Sequence, residues 1–171
     1  MHLAGTNRLA NLPNNMMLFK VVIPAELRKW DGKEMNLSCL LISPDDLGEL
    51  NQQHGRAVGD QFIKEMAKFL QDQIGQGERL FHPDGSNFAI LMEGATGGRA
   101  RRKDTEIKTH FHETTFQVTD KEFKNMTCSV GVASLEDFVQ KHDTQETVDL
   151  LYNALSNGFY KAKQRGGNLV A

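Results

Sequence analysis

Apolar residues recur at intervals of three and four along Phe62, Ile63, Met66, Ala67, Phe69, Leu70 and Ile74, which predicts an amphipathic helix opening after Gly59-Asp60. Val148, Leu151, Tyr152, Leu155 and Phe159 repeat the pattern and predict a helix over 144–163, with Asp143 and Glu146 spaced as a capping box. Leu37-Ser38-Cys39-Leu40-Leu41-Ile42 is a nearly continuous apolar run, as expected of a central strand covered on both faces. It stops at Ser43-Pro44-Asp45-Asp46, where proline halts ladder pairing and a short helix to His54 begins. Residues 14–30 have helical spacing interrupted by Pro24, which predicts a kinked or broken helix. Residues 79–82 and 88–92 flank Pro83-Asp84-Gly85, a turn signal that makes them a hairpin. Gly97-Gly98 introduces 99–113, a charged segment expected as a largely solvated helix, and 127–133 alternates like a half-buried strand. After Gly166-Gly167-Asn168, Leu169-Val170 is expected to add a small terminal strand. The order helix, strand, helix, hairpin, helix, strand, helix predicts an α+β layer structure, two β-α-β-like halves around a mixed, mostly antiparallel sheet.

The 171 residues suffice for one domain with a real core, and no Pro/Gly/Ser-rich linker divides them. A net charge of −2 excludes nucleic acid and anionic membranes as partners recognised through bulk charge. Cys39 and Cys128 lie inside apolar runs, the setting of buried reduced thiols, which suits the cytoplasm. No signal-peptide pattern opens the chain, and no stretch approaches the roughly 18 apolar residues of a membrane span.

Five segments bear on chemistry: Arg8-Leu9-Ala10-Asn11-Leu12-Pro13-Asn14; Leu41 to Leu47 with Asn51, His54-Gly55 and Gly59-Asp60 downstream; Asp84-Gly85-Ser86-Asn87-Phe88; Ser129-Val130-Gly131-Val132-Ala133; and Tyr160-Lys161-Ala162-Lys163-Gln164-Arg165-Gly166-Gly167-Asn168. In order and spacing they resemble the GGDEF domain of diguanylate cyclases, bacterial enzymes that condense two GTP molecules into cyclic di-GMP. The resemblance runs from about Asn7 to Val170. It implies a palm-like nucleotidyl-cyclase fold with a ferredoxin-like βαββαβ core, in which 1–36 form an N-terminal helix and linker and 37–171 the degenerate core. Such units commonly neighbour a phosphodiesterase EAL domain or a sensor domain, which implies that the chain is a piece of a larger protein.

The resemblance also marks what has been lost. The family's metal-binding aspartate at the first strand end falls on Ser43, and the two acids of the signature fall on Ser86 and Asn87. Magnesium requires hard anionic oxygens, and neutral side chains neither hold it nor draw a proton from an attacking hydroxyl. Cyclase activity is therefore expected to be absent or vestigial, with no metal and no cofactor. Asp45 and Asp84 are the nearest carboxylates for a rescue, though Pro44 argues against one and each also reads as an ordinary helix-start or turn aspartate.

Asn51 and Asp60 fall on the family's guanine-contacting positions, where an amide and a carboxylate can read the base edge. Asp60 as a helix cap and Asn51 bonded to local backbone explain the same residues as well. Lys163 matches a phosphate-contacting lysine, but Gly167 replaces the expected arginine, so any GTP binding is expected to be weak. The family's feedback motif R-x-x-D falls on Gly75-Gln76-Gly77-Glu78 without its arginine.

Outside the cleft, Arg99, Arg101, Arg102 and Lys103 read as a solvated helix face or as a docking patch for an acidic partner or RNA, though no aromatics interleave with them. His110 and His112 diverge on a helix and lack further ligands nearby, while Trp30, Met16 and Met17 fit a packed N-terminal helix or an interface. The expected function is that of a catalytically inactive GGDEF domain serving as a regulatory or protein-interaction module in cyclic di-GMP signalling. Two alternatives remain: a GTP-binding allosteric sensor of an EAL phosphodiesterase or other partner, and a structural adaptor with a vestigial cleft.

Overall fold

A computed structural model describes residues 4–29, 35–138 and 143–165. Trp30, Gly166-Gly167-Asn168 and the expected strand at Leu169-Val170 lie outside the described residues. The central sheet has four strands: β3 (Leu37–Pro44), β4 (Glu78–Asp84), β5 (Asn87–Glu93) and β8 (Cys128–Ser134), in the order β4-β5-β3-β8. All its described ladders are antiparallel, with Leu40 opposite Ile90 on one side and Val132 on the other. β3 and β4 are joined through α2 (Leu47–His54) and α3 (Arg56–Gln73), and β5 and β8 through α4 (Gly97–Glu113), so two split β-α-β units interlock as the motifs imply.

Side chains alternate across the sheet with the period of two that a strand imposes. Leu40, Ile42, Phe88, Ile90 and Met92 face one core, against Phe62, Met66 and Leu70 of α3 and Ile107 and Phe111 of α4. Cys39, Ala89 and Leu91 face a second core, against Leu18, Ile23 and Val148, Leu151 and Leu155 of α5 (Thr144–Gln164). Both thiols are free and buried, and burial pushes each up to about 12.

The expected break at Pro24 is a change of winding. Met17–Val22 coil as a π-helix, and α1 (Ile23–Arg28) continues with Pro24 in its first turn, where a missing N–H costs least. The capping box of α5 forms, with Asp143 Oδ1 accepting from Glu146 N at 2.8 Å.

Several expectations need correction. β3 runs on through Pro44, which sits opposite Cys128. The hairpin turn is Gly85-Ser86, with φ +45° at Gly85, while His82 and Pro83 occupy a bulge between Phe81 and Asp84. β8 is buried on both faces, between α4 and α5, where a half-buried strand was expected. Tyr152 is largely exposed, resting its ring edge on Phe19 at 5.1 Å. α4 is not largely solvated, because Ala100, Ile107 and Phe111 pack on the sheet together with a buried ion pair, Lys108 Nζ to Asp104 Oδ1 at 3.4 Å. Burial pushes the Asp104 carboxyl up to about 6, Lys108 opposing it. Two small hairpins carry no sequence signal: β1 (Thr6–Asn7) with β2 (Leu12–Pro13), and β6 (Thr115–Gln117) with β7 (Phe123–Asn125). Among the described residues no helix is long and apolar enough to cross a membrane.

Gly131 fixes how closely α5 approaches the sheet, since a Cβ there would lie 2.6 Å from Phe159 N and 2.7 Å from Leu155 O. Gly131→Ala is therefore expected to cost about 1–3 kcal/mol, read by chemical denaturation. A neutral result would show that α5 can move outward freely.

Candidate functional site

α2, the first half of α3 and the tip of the β4–β5 hairpin enclose one cleft of about 500 Å³. Leu9, Leu47 and Ile63 form its apolar walls, with Asn51, Gln52, Arg56, Gly59, Asp60, Gly85 and Ser86 completing the lining. Asn51 and Asp60, which the resemblance puts at guanine-contacting positions, both line this cleft. Asp60 lies in α3 beyond the first turn, because the helix starts at Arg56, so it is not an N-cap. The Asn51 Oδ1 is buried without a hydrogen-bond partner, so it does not serve local backbone either. It presses on Gly59, where a Cβ would fall 1.6 Å from that oxygen. With its oxygen turned against Gly59, the end that Asn51 can offer a ligand is its NH2 group.

Ser43, at the end of β3, meets the hairpin tip: its Oγ lies 3.4 Å from the Ser86 Oγ. Asn87 Nδ2 donates to Asp84 Oδ1 at 2.8 Å across the turn. The positions implied for metal and acid therefore hold two hydroxyls and an amide, and the turn aspartate is already engaged. Asp45 is neither a helix cap nor a free carboxylate. Its Oδ2 accepts from Thr127 Oγ1 at 2.6 Å, and its Oδ1 from Ser129 Oγ at 2.6 Å and Lys163 Nζ at 2.9 Å. Burial alone would raise the Asp45 pKa, but these three hydrogen bonds and the lysine charge outweigh it and hold the carboxyl below its usual range. Lys163 also donates to the Pro44 carbonyl at 3.0 Å, and its ammonium lies 5.6 Å from the Phe159 ring centroid. It therefore braces the end of β3 and does not line the cleft. These residues do not fit a magnesium ion, which needs anionic oxygens free to coordinate it.

Sequence reasoning missed His82. Its ring is fully buried and stacks on Phe88 at 4.6 Å, and Nε2–H donates to the Gly85 carbonyl at 2.7 Å. This clasp sets the hairpin tip over Ser43. The available signal was a histidine before Pro83, three residues from the turn glycine. Burial lowers the His82 pKa, more than the Gly85 bond and Asp84 raise it.

The remaining candidates lie elsewhere. Glu78, in the segment where the resemblance places a feedback motif, pairs with Lys103 Nζ at 2.8 Å and Arg99 at 3.7 Å, so half of the expected basic patch is used internally. His110 bonds Gln73 at 2.9 Å, and His112 is exposed.

Comparison with known proteins bears on this geometry. The family described as "Diguanylate cyclase, GGDEF domain" matches residues 4–169. Diguanylate cyclase DosC of Escherichia coli (strain K12) is 24% identical over 169 residues, which are 99% of this chain and 35% of that protein. The chain thus spans about a third of the length of the curated relatives it matches first. The GGDEF domain of DgcB from Caulobacter crescentus, solved in complex with c-di-GMP, superposes with a TM-score of 0.84 at 18% identity, covering 100% of this chain and 96% of that one. Diguanylate cyclase SiaD of Pseudomonas aeruginosa, solved with its activator SiaC, gives 0.82 at 19% identity, covering 96% of this chain and 60% of that one.

Because the fold favours neutral His82, the unfolded chain takes up a proton below about pH 6.5 that the folded chain resists. Its contribution is complete above that pH and shrinks as the pH falls. Unfolding free energy is expected to drop between about pH 7.5 and about pH 5 more steeply in the natural protein than in His82→Gln. Asp104, with its raised pKa, acts with the opposite sign in both proteins and cancels in the difference. Equal slopes would show that burial does not hold His82 neutral in the folded chain.

Proposed function

The chain belongs to the GGDEF domain family, and we propose that it is a catalytically inactive member, serving cyclic di-GMP signalling as a regulatory or protein-interaction module. The observation that carries this is the contact between Ser43 Oγ and Ser86 Oγ, 3.4 Å apart, at the two positions where the resemblance implies metal-binding and signature acids. Phosphodiester formation from two nucleotides requires a hydroxyl to be deprotonated and the charge on the attacked phosphate to be offset. Hydroxyls and the Asn87 amide supply neither. Asp45 does not substitute, because each of its oxygens already accepts hydrogen bonds and its charge is balanced by Lys163. The work of the domain then passes to contacts with a neighbouring EAL or sensor domain or with a separate protein. SiaD, a relative in fold solved with its activator, supports protein contact as a use of this architecture.

A second reading has its own observation. Asn51 and Asp60 line one cleft and are not consumed by capping or backbone bonds, which favours a guanine-nucleotide sensor acting on a partner. Guanine presents an acceptor to an amide N–H and adjacent N–H donors to a carboxylate.

Purified protein supplied with GTP and Mg²⁺ or Mn²⁺ is expected to form no cyclic di-GMP by chromatography, and steady turnover would overturn the inactive assignment. For the sensor, calorimetry is expected to register GTP binding that Asp60→Ala abolishes. Equal heats from both proteins would remove Asp60 from any such role.

A further inference from the structure

The charge around the cleft does not match a metal-bound triphosphate. Among its lining residues there is one cation, Arg56, and one anion, Asp60. Lys163, the lysine implied for phosphate, spends its charge on Asp45 and donates again to the Pro44 carbonyl. Ser43 and Ser86 meet each other at the hairpin tip, and Asn87 is bonded to Asp84. A triphosphate entering here would give up part of its hydration for a single exposed arginine and the Ser86 hydroxyl, and burial of under-compensated charge is unfavourable. The base end is provided for differently. Leu9, Leu47 and Ile63 offer apolar faces to a ring, Asp60 offers an acceptor, and the buried Asn51 oxygen leaves an NH2 donor. The volume of about 500 Å³ suits a nucleoside, within the range of small-ligand sites.

Resting on the guanine-sensor reading above, we infer that this cleft takes a guanine nucleoside or its monophosphate without a divalent metal, in preference to magnesium-bound GTP. Recognition is carried by Asn51 and Asp60, and Arg56 accommodates at most one phosphate. The cleft thus answers to the level of a phosphate-poor guanine compound, a chemically different signal from the triphosphate.

The test titrates the natural protein by calorimetry with guanosine, GMP and GTP, each with Mg²⁺ and with a chelator. GMP is expected to bind at least as tightly as GTP, and Mg²⁺ is expected to change every affinity by less than ~3-fold. Gly59→Ala, which evicts the Asn51 side chain, is expected to abolish binding. If that variant does not fold, Asp60→Asn is expected to lower the guanosine and GMP affinities by about tenfold or more. GTP tightened about tenfold or more by Mg²⁺, or GTP bound about tenfold more tightly than GMP, overturns the inference while leaving guanine recognition standing. Silence toward all three compounds removes guanine recognition itself and the inference with it.

Discussion

Magnesium is held by anionic oxygen, and the end of β3 offers none that is free. Ser43 and Ser86 place hydroxyls 3.4 Å apart where two segments of the fold meet. The nearest buried carboxylate, Asp45, is closed by Thr127, Ser129 and Lys163. The inactive assignment descends from that electrostatic arrangement. The same scaffold with carboxylates at these positions would present a strongly anionic notch, whereas this one presents a neutral notch beside a braced ion pair.

The brace and the clasp explain why the frame persists without the acids. Lys163 ties α5 to the end of β3 through Asp45 and Pro44, and Gly131 lets α5 approach closely enough for the lysine to reach. His82 ties the hairpin tip down through the Gly85 carbonyl. Both contacts are polar and partly buried, a setting in which losing one partner leaves a half-desolvated group unpaired. They fix the end of β3 and the hairpin tip beside the cleft between α2, α3 and the hairpin, whose apolar wall and two polar side chains carry the binding proposal.

Much of the fold was legible in the sequence because long periodic segments announce themselves. The stripe through Phe62, Met66 and Leu70 became α3, and the alternation Phe88 to Met92 divided cleanly between the two cores. β1, β2, β6 and β7 were invisible because strands of two or three residues carry no period. α4 was misjudged because a buried Asp104–Lys108 pair writes charged letters on a buried face. At the site, Asn51, Asp60, Ser43 and Ser86 were identifiable through motif spacing. The Asp45 hub was not, since its partners lie 82, 84 and 118 residues away and only the folded chain brings them together. His82 was overlooked because proline beside it drew the turn one step too early.

The most direct measurement is a crystal of the protein soaked with a non-hydrolysable GTP analogue and manganese, with anomalous scattering recorded at the manganese edge. A neutral notch gives no anomalous peak between Ser43 and Ser86, whether or not a nucleotide occupies the cleft. A manganese ion seated there beside the phosphates would contradict the inactive assignment at its root.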